Sequence, residues 1–98
     1  MEVRWLEDAL ADLEAIQDYL LERDPAAARR MVVILREAGS RLSRLSDRGR
    51  PGRWPGTREL VVAGTPYLLP YRVREGRVEI LRVFHGAQRW PSAPEETG

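Results

Sequence analysis

Leu6, Ala9, Leu10, Leu13, Ile16 and Leu20 recur at intervals of three and four residues, the spacing of one face of an α-helix. Glu7, Asp8, Asp12, Glu14, Asp18 and Glu22 fill most of the remaining surface. Glu7 and Asp8 sit where the helix dipole favours negative charge. The pattern predicts a helix ending near Arg23. Ahead of it, Val3 and Trp5 alternate with polar neighbours within Glu2–Trp5, as in a short strand with one buried face. Asp24-Pro25 then opens a second helix. Asp24 is suited to cap free N–H groups, and Pro25 fits the first helical position because its missing N–H costs nothing there. Ala28, Met31, Val32, Leu35, Ala38, Leu42 and Leu45 carry its apolar stripe. Gly39, in mid-helix, costs about 1 kcal/mol against alanine, so close backbone approach to the first helix or to a sheet is expected there. So short a connection makes the two helices an antiparallel hairpin.

Residues 46–55, SDRGRPGRWP, lose all periodicity and read as a loop. Three strands follow, at roughly 57–63, 66–74 and 77–84. Ala63-Gly64-Thr65-Pro66 and Arg74-Glu75-Gly76-Arg77 are turn sequences. Connections this short make neighbouring strands antiparallel, in a meander. Pro70 lacks an N–H and implies a bulge or an unpaired position. Tyr67 and Tyr71 share strand parity and should pack on one face. The fold class is α+β, as one domain over 1–91 followed by a disordered acidic tail over 92–98.

Composition narrows the chemistry. The chain has 98 residues and no cysteine, which excludes disulfides and thiolate metal sites. With one histidine, a zinc site is not expected, and no cofactor is implied. No apolar run approaches the roughly 20 residues of a membrane span, and no signal peptide is visible, so a cytoplasmic protein is expected. The net charge of +1 hides an asymmetry. Residues 1–24 hold eight acids and two arginines, whereas 25–90 hold fourteen arginines and five acids. Every basic residue is arginine. GC-rich coding bias explains the total; the clustering suits an anionic partner, because guanidinium binds phosphate or carboxylate bidentately.

Strand, helical hairpin and antiparallel meander, in this order, resemble the RelE/ParE superfamily of toxins from bacterial type II toxin–antitoxin systems. The resemblance runs over about residues 3–91. It is carried by Trp5, Ala9, Asp12-Leu13, Ile16 and Tyr19, by Asp24-Pro25 with Ala27-Ala28, and by Gly56-Thr57-Arg58-Glu59-Leu60. Pro66-Tyr67, Tyr71-Arg72-Val73, Val78-Glu79-Ile80-Leu81-Arg82-Val83, His85-Gly86 and Arg89-Trp90-Pro91 complete it. The resemblance implies a cognate antitoxin as partner. It also implies one of two targets: DNA gyrase, poisoned by ParE-like members without known enzymatic activity, or the ribosome, where RelE-like members cleave mRNA. The ParE-like branch is favoured. The chain has no lysine, Leu68 stands where RelE has an arginine, and the C-terminal helix of RelE is missing.

Cutting RNA with its own 2′-hydroxyl needs a base, an acid and cations for the phosphorane charge. In an endoribonuclease, His85, Glu59, Arg58 and Arg82 would supply them. The structural alternatives are a backbone hydrogen bond from His85 and a salt bridge from Glu59 to Arg72 or Arg82. In a gyrase poison, Arg50, Arg53, Arg58, Arg82, Arg89 and Trp90 form the binding surface, unless Trp90 only pins the chain end. A third reading is a relic that binds its antitoxin and nothing else.

Overall fold

The computed structural model describes residues 1–94. Along the chain come β1 (Glu2–Trp5), α1 (Glu7–Leu21), α2 (Pro25–Ser40), a 3₁₀ turn (Arg41–Ser43), β2 (Arg50–Pro51), β3 (Arg58–Val61), β4 (Tyr67–Arg74), β5 (Arg77–Ile80) and β6 (Phe84–His85). The helical hairpin is as expected. Asp24 Oδ1 accepts the Ala26 and Ala27 N–H groups at 3.1 and 3.2 Å, and Pro25 opens α2. The second helix stops at Ser40 rather than running to Leu45. Its last turn tightens to 3₁₀, which keeps Leu42 fully buried and leaves Leu45 exposed. The chain is thereby turned toward Ser46, whose carbonyl accepts the Tyr71 hydroxyl at 2.7 Å.

The sheet order is β1-β5-β4-β3-β2, with β6 also paired to β4. β1 runs parallel to β5; the other pairs are antiparallel. Two expectations need correction. The loop 46–55 is not wholly irregular, because Arg50 and Pro51 pair with Glu59 and Arg58 as an edge strand. The third meander strand is not continuous over 77–84. It breaks after Ile80 and resumes at Phe84.

The break is a bulge. Tyr71 pairs with Ile80 and Leu68 with Phe84, so residues 69–70 of β4 face the longer stretch 81–83. The extra residue must leave the ladder. Pro70, without an N–H, still accepts the Leu81 N–H at 2.9 Å. The displaced Val83 N–H is taken by Asp12 Oδ2 of α1 at 2.9 Å. A buried donor that loses its strand partner needs such a substitute. The bulge therefore falls opposite Pro70, in the facing segment.

The helices cover one face of the sheet. Ala9, Leu13, Leu35, Ala38 and Leu42 pack there on Leu60, Leu69, Tyr71, Val78 and Ile80, with Val3, Trp5 and Tyr67 at the margin. Tyr67 and Tyr71 thus share this face. At Gly39 a Cβ would run into the Trp5 indole and Ile80 Cδ1, so the glycine lets α2 approach the sheet. A second, smaller core of Trp54, Leu68, Leu81 and Phe84, joined by Leu6 and Trp90, lies on the opposite face. Among the described residues no helix is long and apolar enough to cross a membrane. Part of the expected tail, 95–98, lies outside the described residues.

Candidate functional site

Strand alternation distributes the chemistry. Val3, Trp5, Val78 and Ile80 face the helices, so their neighbours Glu2, Arg4, Arg77 and Glu79 face away. Register then puts Arg72 beside Glu79 and Arg74 beside Arg77 on that outer face. Glu59, opposite Pro70, and Arg50, opposite Glu59, continue it toward the sheet edge.

Two buried glutamates organise this face. Glu59 is 3% exposed. Its carboxylate takes Arg50 Nη2 at 3.2 Å, Arg53 Nε at 3.1 Å and the Arg53 backbone N–H at 2.7 Å. Burial pushes its pKa up, but the Arg53 N–H and the two guanidinium groups outweigh that and hold it below the usual glutamate range. Glu79 takes Arg72 Nε at 2.8 Å, with Arg77 Nε at 3.8 Å. The Arg72 hydrogen bond outweighs burial and lowers its pKa too. The guanidinium of Arg53 also lies 3.9 Å from the centre of the Trp90 ring. Trp90 stands edge-on to Trp54 at 5.1 Å and tilted on Phe84 at 4.7 Å, while Trp54 Nε1 donates to Pro91 O at 3.3 Å. These contacts fasten the segment after β6 to the body. Arg50 and Arg53 therefore meet on Glu59, and Arg53 links that cluster to Trp90.

The other candidates are placed differently. Arg58, opposite Tyr71, belongs to the helix-covered face and donates to the carbonyls of Asp47 and Gly49 at 3.2 and 2.8 Å. It pins the loop. Arg82 forks onto Asp12, Nε to Oδ2 at 2.7 Å and Nη2 to Oδ1 at 3.0 Å, and this bond raises its pKa. The salt bridge expected from Glu59 to Arg72 or Arg82 is thus made to Arg50 and Arg53 instead. Arg72 belongs to Glu79 and Arg82 to Asp12. His85 is exposed. Its Nδ1 accepts the Ala87 N–H at 3.1 Å and its ring stands edge-on to Tyr67 at 5.7 Å. Arg89 is exposed, and its side chain makes no hydrogen bond or ion pair shown among the described residues.

Glu59 and His85 do not meet. Glu59 is on β3 and His85 on β6, which flank β4 on opposite sides. Glu59 shares the outer face with Pro70, whereas His85 shares the helix face with Tyr67. The four residues of the nuclease reading are consequently spread over two faces, and at least three of them are bound in structural contacts. No cluster of three or more histidine or carboxylate groups suited to a metal occurs among the described residues. Asp12 was legible only as part of a solvated helix face. Arg4, Arg72, Arg77 and Glu79 were within reach of the parity argument, once the strand ends were known.

The family model for the ParE toxin of the type II toxin–antitoxin system parDE matches residues 3–90. The protein Y4kP of Sinorhizobium fredii is 45% identical over 89 residues, covering 91% of this chain and 92% of its own length. Toxin RelE2 of Caulobacter vibrioides is 42% identical over 87 residues, covering 89% of this chain and 97% of its own. A solved chain from the chromosomal ParDE TA system of P. aeruginosa superimposes with a TM-score of 0.82 at 32% identity, covering 87% of this chain and 95% of that one. The match spans both helices, the sheet and the Trp90 segment, so this chain belongs to the ParE toxin family of type II toxin–antitoxin systems.

Proposed function

We propose that this toxin acts by binding DNA gyrase in the bacterial cytoplasm and stalling it on cleaved DNA, with no covalent chemistry of its own. A cognate antitoxin, the partner implied by the family, neutralises it. The observation that carries this reading is the separation of Glu59 and His85 on opposite faces of β4. General acid–base cleavage needs both groups within hydrogen-bond reach of one reacting phosphodiester. Arg58 and Arg82 are engaged by backbone carbonyls and by Asp12, which leaves no cation beside His85 from the expected set. The binding surface is assigned to Arg50, Arg53, Trp90 and Arg89, whose guanidinium groups and indole are at the surface or its margin; Arg58 and Arg82 support the scaffold.

The test is a gyrase supercoiling and DNA-cleavage assay with purified toxin. Inhibition with accumulated cleaved DNA, reversed by antitoxin, is the expected result. Unimpaired gyrase, together with mRNA cleavage on translating ribosomes that is lost in His85→Ala, would replace this reading with the endoribonuclease.

A further inference from the structure

Beyond the Trp54–Phe84 core, the outer sheet face carries no covering element among the described residues, and its rows run across strands. One row is Arg4, Glu79 and Arg72; the next is Glu2, Arg77 and Arg74. Arg50 and Arg53 join from the β2 side through Glu59. We infer that this face is a docking surface for the phosphate backbone of duplex DNA. The inference rests on the gyrase reading for its setting, because gyrase holds the DNA that the toxin would meet.

Three observations point to this occupant. First, two of the acids of this face lie beneath arginines, while Glu2, 3.8 Å from Arg4, is exposed at the sheet margin. Glu59 and Glu79 are buried, whereas the side chains of Arg4, Arg50 and Arg53 are 53%, 57% and 49% exposed. Glu59 holds Arg50 and Arg53 in place while about half of each arginine side chain stays exposed, and a guanidinium so held can offer its remaining N–H groups to phosphate oxygens bidentately. Second, the exposed acids Glu14 and Asp18 ride on α1, the element covering the other face, whereas Glu7 and Asp8 at its start lie beside Arg72 and Arg82. The small net charge thus hides a local excess of arginine over glutamate on this face, which suits a polyanion. Third, five strands spaced ~4.8 Å apart make a platform about 19 Å wide, enough to meet phosphates on both sides of a groove ~12 Å across.

An acidic peptide fits less well. Extended peptides gain their affinity by main-chain bonding at a sheet edge, and on this face the main chain is already engaged within the ladder. A single strand is disfavoured too, since it wants an open aromatic platform, and Trp54 and Trp90 are packed on Phe84.

The test is fluorescence anisotropy of a labelled 20-base-pair duplex with purified toxin across a salt series. Binding in the range of about 10⁻⁴ to 10⁻⁶ M, weakening as salt rises, is expected. The double variant Arg4→Gln/Arg74→Gln should lose about tenfold in affinity and reduce the salt slope by about 2. Arg4→Lys/Arg74→Lys should keep most of the binding, which separates charge from folding. Arg29→Gln/Arg30→Gln, on the exposed surface of α2, should change nothing. No duplex binding at low salt, or an equal loss from the α2 pair, overturns the inference. So does polyglutamate binding as tight as DNA binding and lost in the same variant. Gyrase inhibition without any toxin–DNA binding would sink the inference alone and leave the proposed function standing.

Discussion

Glu59 is the residue whose environment most constrains its chemistry. A carboxylate 3% exposed is tolerable only because five N–H donors of Arg50 and Arg53 converge on it. Glu59→Gln removes the charge while keeping the shape, and leaves Arg50 and Arg53 without their anion. A loss of about 2 kcal/mol is expected, measured by urea unfolding. The pH dependence has a definite sign. Glu59 and Glu79 are held below the usual glutamate range, so their contribution is present above the unfolded value of about 4.3 and is lost as pH falls toward their folded values. The wild-type urea midpoint should drop between about pH 5 and pH 3, and Glu59→Gln should flatten that drop; parallel curves would refute the assignment. At this scale the sequence was half legible. Glu59 as a salt-bridge residue followed from its place on a strand. Its partners did not, because they sit in a Gly- and Pro-rich stretch whose two-residue strand leaves no periodic trace.

Among the elements, the helical hairpin was legible because its cap, proline and apolar spacing are all local. A bulge was expected from Pro70, but its place in the facing residues 81–83 was not legible. Its cause is divided between Pro70 and Asp12, and Asp12 lies 71 positions from the amide it satisfies. Asp12→Ala should strand the Val83 N–H and release Arg82, at a cost of about 2–3 kcal/mol, read as a lowered thermal midpoint with α1 loosened in hydrogen exchange. A drop of less than about 0.5 kcal/mol, as for an ordinary surface change, would show that the bulge holds itself. Gly39→Ala sets two effects against each other. Alanine gains about 1 kcal/mol of helix propensity, but its Cβ collides with the Trp5 indole and Ile80. Overpacking typically costs about 1–3 kcal/mol, and a rigid indole held between helix and sheet yields little. Net destabilisation is expected in thermal melts; a stabilised variant would mean that α2 can lift away from the sheet.

For the whole molecule, the decisive property is how charge is distributed between two faces. The division of the sequence into an acidic beginning and a basic remainder was legible. Which arginines point outward was not, because it depends on strand register, and the register shifts by one residue at the bulge. That shift is why Arg82, which reads from the sequence as a strand arginine available for binding, is instead locked to α1. With gyrase as the proposed target, the double variant Arg50→Gln/Arg53→Gln should raise the toxin concentration needed for inhibition at least about tenfold while circular dichroism stays native. Unchanged inhibition by the folded variant would remove these two residues from the binding surface.

The parallel pairing of β1 with β5 also orders events during synthesis. Glu2–Trp5 is made before the rest of the sheet, yet its strand partner among the described residues is Arg77–Ile80, and the Asp12 carboxylate waits for the still later Val83. Contacts between distant segments form late because the intervening chain must first be closed into a loop. A nascent toxin therefore has its helices before it has its sheet, and its outer face is assembled only as the final strands arrive. A chain truncated after Arg74 should show helical signal but no cooperative melt. For a poison that its own cell must survive making, completion of the sheet sets the moment at which neutralisation becomes necessary.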